Sequence, residues 1–422
     1  MSASALEVSI RPDTTPQALS SLLGVAIRMA QRMGIHSEAT LAKCTPFEAE
    51  MRRRLWWSLI LFDTRISELT SSNIATLDPT WDCGIPLNVN DGDLRLDMKT
   101  PLVTRKQPTD AVFAVVRSEL GDYLRHAAFH LHIDNSALKS LAKRFDENLT
   151  LKSDALVKLG DKIEDRYLKL CDEENPTHFM ATWTARGSLA KYHLMEHNVR
   201  LASSSTQRVE AQYNAATFHA LRMLECDTKI MTSHLTKGFA WLHQINFPFP
   251  AYYQITQDLR RRPTSEQALH TWDVMSRNWE AWFNVHFGTA SPIFQLFNNL
   301  ILHAWEAYES AAKPAAQVFT VPRIVSSIRD ALALGGSSRN APNLEMEVAA
   351  LDGGLDADGS LSAMQMPTAL LDHTLAFDLG LQGDNTWTPP EMSFVSDIPG
   401  RDPMGPPIDH VDWKAFGGPR GW

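Results

Sequence analysis

Cysteine is scarce in this chain. Only Cys44, Cys83, Cys171 and Cys226 occur among 422 residues, at gaps of 39, 88 and 55 positions. No pair has the two-residue spacing that chelates a metal, which excludes a disulfide scaffold and a cysteine-built zinc finger within this sequence. Long hydrophobic runs are lacking too. The longest strongly apolar stretch, residues 55–62, holds eight residues with Ser58 among them, against about 20 for a membrane-crossing helix. Residues 1–7 show no basic segment leading into an apolar one, the mark of a secretion signal. Together these features predict a soluble intracellular protein with reduced thiols. Alternating β-branched residues never run long enough to propose a strand, and no short-period repeat marks a solenoid. Phosphate-binding glycine loops and the G-x-S-x-G nucleophile turn are likewise missing.

What is present is apolar and unevenly charged. Apolar residues make up 44% of the chain, enough to fill at least one large core. The formal net charge is −9. From Leu344 onward there are 13 acids and three bases, so residues 1–343 carry the remaining 36 acids and 37 bases, or +1. A nearly neutral body offers no general attraction to nucleic acid, whose binding relies on Lys and Arg neutralising phosphates. Any direct DNA contact would be local.

The body reads as successive helices. Leu19, Leu22, Leu23, Ala26, Met29, Ala30 and Met33 recur at helical spacing between Pro16 and Gly34. A second helix opens with Thr45 as N-cap, Pro46 at the first position and Glu48 placed to complete a capping box. Phe47, Met51, Leu55, Leu59, Phe62, Ile66 and Leu69 mark its buried face. Trp56 and Trp57 widen that face enough to require a second packing neighbour. Residues 78–94 are rich in Pro, Gly, Asn and Asp, which forbids a continued helix, yet Trp81, Ile85, Leu87 and Val89 call for burial. This segment is predicted to be an ordered loop. Helical patterns resume over 109–133, 153–171, 177–203, 206–236, 264–287, 292–312 and 321–334, with prolines at 176, 248, 250, 263, 292 and 322 marking breaks. The expected fold is all-α over residues 1–335. Beyond it, Gly- and Pro-interrupted composition predicts a disordered acidic tail over 336–422. There Phe377, Trp387, Phe394, Trp413 and Phe416 lie among acids that keep aromatics hydrated, the composition of a segment that docks on a partner.

Three blocks then appear in order: residues 22–36, ending Met33-Gly34-Ile35-His36; residues 46–58, with Arg52-Arg53-Arg54-Leu55-Trp56-Trp57; and Pro86-Leu87-Asn88-Val89-Asn90-Asp91-Gly92-Asp93-Leu94. Together they closely resemble the fungal-specific transcription factor domain, the regulatory middle region of fungal zinc binuclear cluster transcription factors. The resemblance is strongest over 17–130. It implies an all-α regulatory domain of a nuclear transcriptional regulator, serving a biosynthetic or metabolic gene cluster. Its partners would be transcription machinery, co-regulators and a second copy or a related factor. In complete members an N-terminal six-cysteine cluster binds two zinc ions and reads DNA. No cysteine precedes Cys44 here, so zinc and DNA targeting are expected only through a cluster outside this sequence or through a partner, and no cofactor is expected in this chain.

Several residue groups invite chemistry. Three consecutive arginines spread over some 200° of helix surface and cannot form one phosphate clamp. The expectation is that one or two of Arg52, Arg53 and Arg54 pair with acids such as Glu48, Glu50, Asp63, Asp91 or Asp93 and pin the loop to the helix. Asp122, His126 and His130 share a helical face, with His132 nearby, and give the rival reading of a helical metal-dependent enzyme. Ala127 stands where a zinc protease would need its glutamate. A third reading is an interaction protein that modulates related factors without binding DNA. Asp91, Asp93 and Asp97 form only a fragment of a calcium loop. His193 and His197 read as helix residues, and Arg260-Arg261-Arg262 as a solvated helix end. The aromatic run 239–253, with Trp272, Trp279 and Trp282, fits either an effector pocket or core packing.

Overall fold

The computed structural model describes residues 16–70, 81–126, 149–203, 210–242, 246–283, 292–312 and 320–335. All of these lie in the first of the two units into which the chain divides, Met1–Leu379. Among them the regular structure is helical, and no strand occurs. The candidate tail residues Phe377, Trp387, Phe394, Trp413 and Phe416 lie outside the described residues.

The first helix, α1 (Pro16–Arg32), ends in the way its sequence announces. Gly34 has φ +69°, and a Cβ there would come within 2.8 Å of Thr40. The Ile35 amide reaches back to the Ala30 carbonyl (3.1 Å) and the Gly34 amide to Gln31 (3.0 Å), the paired bonds of a Schellman close. Ile35 then buries itself. A single turn, α2 (Glu38–Leu41), follows, and then the long α3 (Pro46–Thr70). Thr45 caps α3 by accepting the Glu48 amide at 3.2 Å. The Glu48 carboxylate does not return to the cap but holds Arg52 at 2.6 Å.

Helix α4 (Val112–His126) packs on α3 and on α6. Gly121 allows the α3 approach, since a Cβ there would sit 2.8 Å from Leu61. Then come α5 (Leu149–Arg166), α6 (Pro176–Ser203) and α7 (Glu210–Thr232), the last two packed along their lengths. Helices α8 (Phe249–Arg261), α9 (Ala268–Phe283), α10 (Pro292–Ala312) and α11 (Arg323–Gly335) complete the described body.

Three apolar clusters result. The first joins α1, α2, α3 and the loop around Trp56, Trp57 and Trp81. The second joins α4, α5 and α6. The third and largest runs from the end of α6 to α11 around Tyr252, Trp272, Trp279, Trp282, Phe297 and Trp305.

Helix α8 is where the sequence reading needs correction. Pro248 and Pro250 mark a break in the sequence, yet Pro250 lies within the first turn of α8. A proline there gives up no intrahelical hydrogen bond, and its fixed φ suits the turn. Ala251, Tyr252, Ile255 and Leu259 then line one buried face at helical spacing.

Candidate functional site

The loop that follows α3 is held by charge and amide bonds as much as by apolar contact. Arg52, Arg53 and Arg54 leave α3 in three directions and meet three sets of acids. Arg52 pairs with Glu48 one turn back on the same helix (2.6 Å). Arg53 makes a two-pronged contact with Glu38 of α2, Nε to Oε1 at 2.8 Å and Nη2 to Oε2 at 2.6 Å. Arg54 donates from Nε to Glu50 (3.0 Å) and from Nη1 to Asp91 of the loop (2.8 Å). Such paired, charge-assisted geometry is the strong form of the interaction.

The acids are shared with the loop backbone. Glu38 accepts the Gly84 amide (2.8 Å), while its own amide donates to Asp82 (2.9 Å). The bond from Arg53 holds the Glu38 carboxyl below its ordinary value, although burial opposes it. Glu50 is fully buried and accepts the Leu87 amide on both oxygens (3.1 and 3.2 Å). Burial pushes its pKa up even with Arg54 and the amide beside it.

Aromatic contacts close the same loop. Trp81 meets Trp56 and Trp57 edge-on, at 5.6 and 5.4 Å between centroids. The Trp57 indole N–H donates to the Gly84 carbonyl (2.8 Å). From α4, the Arg125 guanidinium lies 3.5 Å over the Trp81 ring and donates to its carbonyl. Farther along, buried Asn88 donates to the carbonyls of Arg105 (2.9 Å) and Gln107 (2.8 Å) and accepts from the Thr109 hydroxyl (2.8 Å). Asp93 pairs with Arg105 through both oxygens at 2.9 and 2.8 Å. The expected loop is therefore an ordered strap from residue 81 to the start of α4; Arg54, Trp56, Trp57, Asn88, Asp91 and Asp93 are in or against it, Arg53 reaches it through Glu38, and Glu48 and Arg52 pair with each other on α3. Glu38 is the partner that sequence reasoning missed. It lies in one helical turn too short to leave a periodic signal. Asp63 is buried on α3, and the carboxylates that Arg52, Arg53 and Arg54 meet are others.

The strap is built to hold a shape. Its arginines are engaged with carboxylates, leaving no array free for phosphate, and Asp91 and Asp93 are bonded to arginine as well. Metal chemistry finds little better footing among the other described residues. His126 is exposed and its Nδ1 lies 2.7 Å from the carbonyl oxygen of Asp122, while His130 and His132 lie outside the described residues. Among the described residues no three His, Cys, Asp or Glu side chains converge as a metal site. The cysteines do not fit a zinc cluster: they lie on separate segments, and burial pushes Cys83 up to about 12 and Cys226 up to about 11, far from thiolate. His193 stacks on His219 (4.9 Å), whose pKa burial lowers to about 4. Arg262 is clamped to Asp258 (2.6 Å), whereas Arg261 is exposed.

The aromatic run 239–253 divides. Trp272, Trp279 and Trp282 belong to the third core. Leu242, Asn246, Phe247 and Pro248 line a cavity of about 190 Å³ together with residues of α3, α4, α6 and α7. No described helix is long and apolar enough to cross a membrane.

Comparison with known proteins gives this geometry a context. Residues 6–108 match the fungal specific transcription factor domain, a span that contains α1, α2, α3 and most of the strap. The transcriptional regulator AacuB of Aspergillus aculeatus is 50% identical over 327 residues, covering 76% of this chain and 44% of that protein. The transcriptional regulator nsrM of Aspergillus novofumigatus is 42% identical over 76% of this chain and 43% of its own length. The aurofusarin cluster transcription factor aurR2 of Gibberella zeae is 25% identical over 86% of this chain and 53% of its own length. The chain thus spans about half the length of these curated relatives. No solved structure matches it.

Proposed function

We propose, from the premise that residues 6–108 are a fungal specific transcription factor domain, that this chain is the regulatory portion of a nuclear transcriptional regulator of a fungal biosynthetic gene cluster. The observation that carries this reading is the coincidence of the matched segment with the strap: residues of the second and third blocks are spent on clamping a loop, not on presenting a reactive group. The regulatory names of relatives at 50% and 42% identity support the same direction. In this reading the chain is not an enzyme. Zinc and base recognition enter through a six-cysteine cluster outside this sequence or through a related factor bound to it, and residues 336–422 recruit transcription machinery.

Three measurements test the proposal. Deleting the gene should silence a contiguous set of biosynthetic transcripts, and a tagged chain should concentrate in the nucleus. Unchanged transcript levels would overturn it. Fused to an unrelated DNA-binding domain, residues 336–422 should activate a reporter, and alanine at Trp387, Trp413 and Phe416 should cut that activity severalfold. An inert fusion would remove recruitment from the tail.

A further inference from the structure

The cavity of about 190 Å³ lies between the second and third apolar clusters, walled by α3, α4, α6, α7 and the segment leading into α8. Phe113, Trp183, Tyr192 and Phe247 give it aromatic sides. Its charges do not balance. Lys191 and Arg65 share one carboxylate, Glu68, at 2.5 and 2.6 Å. Burial raises the Glu68 pKa, but the two cations prevail and hold it down at about 2. Asp227 is occupied by neutral donors, the Trp282 indole N–H (2.6 Å) and the Asn278 amide (2.8 Å). That leaves Arg117 of α4. Its guanidinium lies 5.1 Å from the Phe113 ring centroid and has no carboxylate or hydrogen-bond acceptor among the described residues. Thr184, another wall residue, has a buried hydroxyl that also lacks a partner. Three cations against two acids leave one positive charge without its complement, and partly buried charge is retained at a cost unless something pairs with it.

From the cavity, its aromatic walls and the unpaired Arg117 guanidinium, we infer that this site binds a small aromatic carboxylate of one or two rings. An engineered cavity of about 150 Å³ accepts benzene, so the space here suits a ring system of that order. The carboxylate would take the two-pronged geometry that guanidinium offers. Bound there, the ligand would touch both α3 of the matched domain and α6 and α7 of the later helices. An effector that prefers one arrangement of these helices would shift the regulator toward it. Binding itself does not depend on the regulatory reading; only that last consequence does.

The test uses the full chain and three probes: benzoate, 2-naphthoate and indole-3-acetate, each beside its neutral primary alcohol. Titration calorimetry should show at least one acid binding in the micromolar to low millimolar range, tenfold or more tighter than its alcohol. Arg117→Gln should erase that preference while leaving alcohol binding within twofold. Hydrogen exchange on the unmodified chain provides a readout that does not depend on the variant folding: the bound acid should slow exchange in α4 and α6. Failure of all three acids to bind, equal affinity for acid and alcohol, or protection confined to other helices would each overturn the inference. Acid binding without any change in target transcripts would retain the site and detach it from regulation.

Discussion

The strap over α3 and the aromatic core of α8 to α10 hold their shapes by different means. Around the strap, direction comes from charge-assisted bonds: Arg53 to Glu38, Arg54 to Glu50 and Asp91, and Glu50 to the Leu87 amide. Around Trp282, it comes from rings packed against Phe247 (5.1 Å), with Tyr252, Phe297 and Trp279 in the same cluster. The two regions also treat a buried carboxylate differently. Glu50 has a guanidinium beside it, whereas Asp227 has only neutral donors and burial pushes it up to about 6. A charge pair fixes where a loop lies at little net gain in stability, because desolvation offsets attraction. Close-packed aromatics supply stability but tolerate more than one loop path.

That contrast can be broken at its strongest point first. Trp282→Ala removes a fully buried indole and should cost about 3–5 kcal/mol of unfolding free energy, read by denaturant titration. If it costs under about 1 kcal/mol, the aromatic core is not the main source of stability. Glu50→Ala should cost about 3 kcal/mol, because it strips Arg54 of a buried partner and frees the Leu87 amide. Its signature should be local: faster proteolysis and amide exchange over residues 84–94, with the α8 to α10 amides unchanged. Equal loosening of both regions would erase the distinction between them.

Asp227 sharpens the comparison by pH. Its folded pKa lies above its ordinary value of 3.8, at about 6, so the folded state holds the proton more tightly between those values. The associated stability is complete below pH 3.8 and is lost as pH rises through 6, amounting to about 2–3 kcal/mol. His219, lowered to about 4, gives the opposite slope over an overlapping window. The readout is therefore the difference between the unmodified chain and Asp227→Asn: the melting temperature of the former should fall relative to the variant from pH 4 to pH 6.5. Parallel profiles would show that the carboxyl is not the titrating group. At the small end, Arg52→Ala removes a half-exposed pair one helical turn apart and should cost only about 0.3–0.5 kcal/mol.

Much of this was legible from local pattern. The Gly34 stop, the Thr45–Pro46 start, the α10 bounds and the ordered but non-helical strap all follow from capping residues and spacing that act within a few positions. The three arginines were readable as pointing apart, and Glu48, Glu50 and Asp91 stood among the five acids expected to meet one or two of them, whereas Asp93 pairs with Arg105 instead. Glu38 was not, because its helix is a single turn. Helix α8 was obscured by two prolines whose effect depends on whether they fall in the first turn or the middle of a helix. The apolar stripe of α1 also divides in a way its periodicity does not reveal: Leu19, Leu23, Ile27 and Ala30 are buried, while Leu22, Val25, Met29 and Met33 are exposed. Spacing defines a face, but only a packed neighbour decides how much of it is covered.

By itself the sequence determined an all-helical body, the ends of most helices and a family resemblance carried by three blocks. These depend on backbone hydrogen bonding, capping and side-chain period, which are properties of neighbours along the chain. The tertiary structure alone decided which acid each arginine meets, that Glu68 serves two cations, and that Arg117 lines the same cavity without an acid of its own. Those outcomes depend on burial and on charges brought together from residues up to 123 positions apart, as in the Lys191–Glu68 pair. Coulomb attraction and desolvation act through space, and no local pattern along the chain encodes their sum.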